Sequence, residues 1–421
     1  MNLLTALFLL AVSLGLGLQL WLLQRHRRHV ERHRELVPAA FREQITLDEH
    51  QKAAAYTLAK TGVYRIELVL QTIPLILLTL GGGIGVLNAF WSDRLEDPLT
   101  AGIALILSVF FLLALFELPF SVWRTFVLET GFGFNRTTPL RFVKDLVLQT
   151  LLMLALGTPL LWVILWLMQE AGEYWWLAAW LVWIGFSLTV TWLYPTLIAP
   201  LFNQFTPLQD GELKSRVQQL LERCGFTSSG IFVMDGSRRS GHGNAYFTGF
   251  GRQKRIVFFD TLIESLEQEE MEAVLAHELG HFKHRHVIKQ LALSALLVLA
   301  GMAVLGWLSG ELWFYLGLGV NGSSSALALL LFLLAAPAFT QFLHPLVTLL
   351  SRRYEFQADD FACRQTGAEP LISALVKLYR ENASTLTPDP LYSAFHDSHP
   401  PAPVRVAHLS SISLSLRGTS A

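Results

Sequence analysis

Seven stretches of this chain are each apolar and long enough to cross a bilayer, which takes about 20 helical residues. No other property narrows the possible folds as far. They fall near residues 3–23, 66–90, 99–123, 143–168, 175–197, 288–308 and 326–350. Only 15% of the residues are charged, where a soluble domain carries about 25%. In lipid the backbone must satisfy its own polar groups, so runs of this length are helices. The fold class to expect is mainly α and integral to a membrane. The sixth run has an ambiguous end, because the apolar segment 313–320 either prolongs its helix or lies at the interface.

Charge sets the orientation. The first run is not a cleavable signal peptide, since its positive charge follows the apolar stretch, in Arg25-His26-Arg27-Arg28, instead of preceding it. The positive-inside rule places residues 24–65 in the cytoplasm. The later loops alternate in agreement: 92–98 and 169–174 are acidic, whereas 124–141 and 198–287 carry many Arg and Lys. A net charge of −1 gives no general attraction to nucleic acid, and none is expected as a partner. Cys224 and Cys363 show no metal or disulfide spacing and read as free thiols on a reducing side.

Two segments are large enough to fold outside lipid, roughly 200–287 and 351–421, both on the cytoplasmic side. The expected organisation is therefore 1–200 for spans one to five, 201–287 for a catalytic segment, 288–350 for spans six and seven, and 351–421 for a tail. The turn 321–325 is short, so spans six and seven form a helical hairpin. Its cytoplasmic ends bring residues 277–281 beside residues 352–360.

That juxtaposition matters because the first of these pieces reads His277-Glu278-Leu279-Gly280-His281. On a helix, residues four apart share a face. Both imidazoles can reach one Zn²⁺, with Glu278 beside them to take a proton from water. A catalytic zinc usually has three protein ligands. The hairpin nominates Glu355 as the third. Asp359 lies one turn further on, placed to accept a hydrogen bond from the far nitrogen of a ligand histidine. His284 and His286 are rival ligands by proximity, though their position at the end of a span reads first as solvated or interfacial, and Glu355 has a competing role as an ion-pair partner of Arg352 or Arg353. One Zn²⁺ per chain is expected.

Upstream, 243–250 and 255–260 are rich in β-branched and aromatic residues and read as a hairpin turning at 251–254. A strand edge beside a metal can hold an extended peptide, through Asn244 and the following Ala245 and Tyr246. Downstream, His399 and Arg405 are candidates to stabilise an oxyanion. Glu117, near the inner end of the third span, should face protein or water, not lipid.

At this point the sequence resembles the type I CAAX prenyl protease family, which are membrane zinc metalloproteases. The likeness runs through Gly131-Phe132-Gly133-Phe134-Asn135, the run from Tyr194-Pro195 to Leu201-Phe202-Asn203, Asn244-Ala245-Tyr246-Phe247-Thr248-Gly249, His277 to His281, Glu355 to Asp359, and Ser398-His399-Pro400. It implies seven helices enclosing a chamber, with zinc at the cytoplasmic end. His277, His281 and Glu355 match the metal ligands, Glu278 the base, Asp359 the acid behind a ligand, Asn244 a substrate contact, and His399 and Arg405 residues near the reaction centre. The family cuts the C-terminal tripeptide from prenylated Cys-a-a-X proteins. The minimal outside loop at 321–325 and the lack of a retrieval signal point to a bacterial inner membrane, with the ER membrane as the eukaryotic counterpart. The expected partners are a peptide or protein substrate, prenylated or not, and membrane lipid. Two other functions remain open: a quality-control protease acting on unprenylated membrane proteins, and a seven-helix transporter or receptor with a structural zinc.

Overall fold

The protein is described from a computed structural model, covering residues 2–248 and 253–418. Among these, seven helices are long and apolar enough to span a membrane: Leu3–His33, Leu47–Leu78, Pro98–Phe132, Pro139–Glu170, Gly172–Phe202, His286–Leu308 and Ser325–Thr366. Their outer faces carry large exposed apolar side chains, such as Leu3, Leu77, Phe111, Leu151 and Leu296. Contiguous apolar surface on this scale belongs against lipid.

The second span differs from the 66–90 expected from hydropathy. Its helix is Leu47–Leu78, and a separate helix, Gly83–Ser92, follows. Thr46 and Glu49 form a reciprocal cap, so the helix starts in polar sequence well ahead of the apolar stretch. Three glycines then end it at 81–83, where Gly82 adopts a left-handed φ of 80° that side chains resist. Residues 313–320 neither prolong span six nor lie free at the interface. Leu312–Gly317 is a short helix with Phe314 and Tyr315 buried. It is tied to the first span by Asn2 Nδ2 to Trp313 O at 2.9 Å and Thr5 Oγ1 to Gly317 O at 2.8 Å.

The third span passes through a π-helical segment, Arg124–Glu129. Here Arg124 bridges Glu67 of the second span and Glu117 of its own helix, the latter at 2.6 Å. Gln71 Nε2 donates to the other oxygen of Glu117 at 2.8 Å. Glu117 thus faces protein.

Between spans five and six the chain forms a helix, Glu212–Cys224, and four strands: β1 (Phe205–Pro207), β2 (Thr227–Met234), β3 (Ala245–Thr248) and β4 (Gln253–Phe259). The order is β1-β2-β4-β3, with β2 and β4 parallel and the other pairs antiparallel. The runs read as a hairpin do pair, Ala245 opposite Phe258, while their turn at 249–252 lies outside the described residues. Arg255 Nη1 donates to Pro195 O at 3.0 Å, anchoring the sheet to a second π-helical turn, Tyr194–Ile198. Two cores result. One joins the spans around Phe8, Leu105, Ile106 and Leu330. The other packs the sheet on the helices Gln268–Lys283 and Ala368–Glu381, around Val217, Ile256, Phe258, Leu275 and Leu371. Cys224 and Cys363 are free and buried in it.

At the same end the spans and the tail enclose a chamber. Cavities of 660 and 510 Å³ meet at Tyr56, Lys60 and His242, which line both. The tail is fastened to the first span by Arg25, whose Nε lies 2.9 and 2.8 Å from the two oxygens of Asp389. Asp389, 1% exposed, also caps the helix Pro390–His396 by accepting from Leu391 N and Tyr392 N. Arg25 is half-exposed and Asp389 buried, so losing the carboxylate removes a helix cap worth about 1 kcal/mol and charge-assisted bonds worth about 1.5 kcal/mol. Asp389→Ala should therefore lower the melting temperature of the purified chain, while Arg34→Ala, which removes an exposed pair, should leave it nearly unchanged. Equal melting of the two variants would show that the tie contributes nothing.

Candidate metal centre

His277 and His281 lie one turn apart on the helix Gln268–Lys283, whose first turn is capped by Glu267 and Glu270. Glu355 and Asp359 lie one turn apart on His344–Thr366, the inward continuation of span seven beyond the 3₁₀ turn Gln341–Leu343. The two helices touch at Gly280. A Cβ there would sit 2.9 Å from Ala358 Cα and 3.1 Å from its carbonyl oxygen. Glycine is thus the residue that permits this approach, and the approach sets Glu355 against both imidazoles.

The side chains converge. His277 Nε2 lies 3.5 Å from Glu355 Oε2, His281 Nε2 lies 3.4 Å from Glu355 Oε1, and the two Nε2 atoms are 3.3 Å apart. Glu355 is 3% exposed. Its Oε2 makes no hydrogen bond, although His399 Nδ1 is 2.6 Å away. A buried carboxylate oxygen left in this state, facing two imidazole nitrogens, fits a divalent cation among the three groups.

The far ring nitrogens are engaged, which turns each Nε2 inward. His277 Nδ1 lies 2.8 Å from Asp359 Oδ1. Asp359 is fully buried and receives Nε and Nη2 of Arg405 at 2.9 and 2.5 Å. Burial and the Arg405 guanidinium push the pKa of His277 down, but hydrogen bonds to Asp359 and Glu355 more than reverse this and raise it to about 9. The surroundings favour a positive charge at this position. His281 Nδ1 lies 3.1 Å from His286 Nδ1, and His286 Nε2 lies 2.8 Å from Gln357 Oε1. His286 is 1% exposed and stacked on Tyr354, with ring centres 4.2 Å apart. It is not the solvated residue its neighbourhood in the sequence suggests. It reaches His281 because Arg285 takes a left-handed φ of 57°, turning span six sharply away from the helix before it.

Glu278 is half-buried and lines a 120 Å³ cavity with His277, Asn244, His399 and Arg405. His399 also lines the 660 Å³ chamber, so it stands where the two spaces meet. Arg405 is committed to Asp359 through two bonds, and its Nη1 is 3.7 Å from Glu355. Asn244 begins the edge strand β3 and accepts from Ala245 N through Oδ1 at 2.8 Å. Ala245 lines the 120 Å³ cavity; Tyr246, opposite Val257, does not. His284, the other rival ligand, is outside the convergent group of His277, His281 and Glu355. Sequence reasoning named His286 only as a rival ligand or a solvated residue, and it missed Gln357, whose only local signal is its position two residues from Glu355. It also missed the chamber-wall trio of Tyr56, Glu129 and His242, where Tyr56 Oη donates to Glu129 Oε1 at 2.6 Å and His242 lies 3.6 Å from its other oxygen.

Membrane-length helices, a buried His-His-Glu cluster and a carboxylate in the adjoining cavity define a membrane metalloendopeptidase. The chain belongs to peptidase family M48, whose model matches residues 207–413, and residues 26–204 match the CAAX prenyl protease N-terminal model with five membrane helices. It is 36% identical over 376 residues to the CAAX prenyl protease 1 homolog of Dictyostelium discoideum, covering 86% of this chain and 87% of that one. It is 36% identical over 316 residues to CAAX prenyl protease 1 of Saccharomyces cerevisiae, covering 71% and 70%. The crystal structure of S. mikatae Ste24p superposes with a TM-score of 0.88 at 27% identity, over 97% of this chain and 99% of that one. These matches make the chain a membrane zinc endopeptidase and do not favour the quality-control or transporter readings.

Outer partners of a metal-bound histidine typically contribute 10- to 100-fold in metal affinity. His286→Ala should weaken metal binding by roughly that factor, as measured by competition with a chromogenic chelator. Gly280→Val, which drives a branched side chain into Ala358, should abolish stoichiometric metal in the purified protein. Full metal content in Gly280→Val would mean that the two helices need not touch.

Proposed function

We propose that the chain removes the C-terminal tripeptide from prenylated Cys-a-a-X substrates, using one Zn²⁺ held by His277, His281 and Glu355. The observation that carries this reading is the 120 Å³ cavity. Its lining joins Glu278 and His277 to the apolar side chains of Leu262, Val274, Leu371, Leu375 and Leu378. The space suits one aliphatic side chain, such as that of the residue after the prenylated cysteine. The names of the relatives support the same substrate class.

The substrate adds to the edge of β3 as an extended strand, with its backbone on the strand's N–H and C=O groups and Asn244 at the strand's start. Bound zinc supplies Lewis acidity and a lowered pKa for water. Glu278 takes a proton from the attacking water and delivers it to the leaving amine. Asp359, held by Arg405, fixes the tautomer of His277 with Nε2 unprotonated. His399, at the mouth between chamber and cavity, is placed to donate to the oxyanion. Residues 24–65 are rich in Arg and Lys and residues 124–141 carry three Arg against one Glu, and their helices end on the side of the metal centre. This supports an active site facing the cytoplasm.

Glu278→Gln should keep its zinc by metal analysis while losing at least about 10³-fold in turnover, as expected when a general base is removed. Retained turnover would remove Glu278 from the mechanism. A farnesylated Cys-a-a-X peptide should be cleaved far faster than its unprenylated twin, and equal rates would overturn the substrate class without touching the peptidase chemistry.

A further inference from the structure

A second polar cavity, of 390 Å³, shares no lining residue with the metal cavity. It lies between the ends of spans four and five on the side of the metal centre. Its walls are the first turns of Pro139–Glu170, the segment 200–204, and the turn at Arg238-Arg239. Asp145 and Arg239 form the partition from the chamber, since both also line the 510 Å³ space.

The charges in this cavity do not balance. Arg239 is locked, with Nε and Nη2 on Asp145 at 2.8 and 2.9 Å and Nη1 on Asn203 Oδ1 at 2.9 Å. Arg238 pairs with Asp235 at 2.8 Å. Arg141 donates only to the backbone carbonyl of Arg238. Among the described residues, neither Arg141 nor Lys144 has an acidic partner. Two cations therefore face the same small space beside a rigid ion pair.

The flank of the cavity is apolar. Leu140, Val143, Leu197 and Leu201 are 81, 53, 61 and 48% exposed, on the ends of helices that cross the membrane. A ligand here meets cationic groups at one end and acyl chains at the other. That pairing distinguishes a phospholipid from a soluble anion. We propose that this cavity binds the phosphate headgroup of an anionic membrane lipid, through Arg141 and Lys144, with its acyl chains over the exposed leucines. Basic pockets between transmembrane helices suit such headgroups. The site is separate from the peptidase chemistry and does not depend on it.

The test uses the full-length, metal-loaded protein in micelles of neutral phosphatidylcholine titrated with phosphatidylglycerol, with bound lipid counted by native mass spectrometry. The wild type should retain phosphatidylglycerol in preference to phosphatidylcholine. Lys144→Gln, an exposed change that removes no ion pair, should weaken retention about five-fold, and Arg141→Gln/Lys144→Gln about 25-fold. Arg94→Gln, a cation near the opposite end of the bundle, should have no effect. Unchanged retention in the double variant overturns the proposal. So does an equal loss in Arg94→Gln, which would show only general surface attraction. Displacement of the lipid by millimolar inorganic phosphate would make the cavity a site for free anions and overturn the assignment to lipid.

Discussion

The contact of two helices at Gly280 and Ala358 is the constraint on which the rest of the site depends. Zinc-binding geometry tolerates errors of a few tenths of an ångström, and the three candidate ligands come from two helices about 75 residues apart in sequence. Side chains at a helix crossing usually hold the axes 8–10 Å apart. A glycine at the crossing lets the backbones meet. The carboxylate on one helix then falls directly over the paired imidazoles of the other. Buried Arg405 and Asp359 rigidify the back of the contact, and His286 with Gln357 rigidifies its side. Each hydrogen bond removes a freedom that the metal would otherwise have to overcome on binding.

The membrane helices position this contact and leave an opening to it. Spans six and seven deliver the two metal helices to the same end of the bundle. The first span holds the tail through Arg25 and Asp389, and the tail brings His399 to the border of the chamber and the metal cavity. Irregular helix is concentrated at that end, in the π-helical segments Arg124–Glu129 and Tyr194–Ile198. Such backbone is tolerated at membrane depth only where protein or water satisfies it. Here the first of them starts at Arg124, which is held by two carboxylates, and the second supplies Pro195 O to Arg255.

Several of these features could be read in the chain itself. The i, i+4 spacing of His277 and His281 makes a shared face on any helix, and a short turn between two apolar runs makes Glu355 their neighbour. The second span was misplaced because hydropathy weighs apolar content. It does not see that a cap at Thr46 starts a helix early or that glycines at 81–83 stop it. His286 looked like a solvated interfacial residue because nothing local announces the left-handed turn at Arg285. Asp145 and Arg239 are 94 residues apart, and Glu129 lies 73 residues from Tyr56 and 113 from His242. Neither periodicity nor charge pattern pairs them.

What the amino-acid sequence determined by itself was everything governed by period, length and net character: seven membrane-length helices, their alternating loop charge, the paired imidazoles and the carboxylate between them. These are properties of a segment and its solvent, legible without knowing what packs against it. Only the tertiary structure decided how closely the metal helices approach, which far nitrogens are held and by what, where Arg405 spends its donors, and that two cations at the bundle's edge have no acidic partner among the described residues. Those outcomes depend on steric fit and electrostatic partnership between groups remote along the chain, and such partnerships exist only after the backbone has closed.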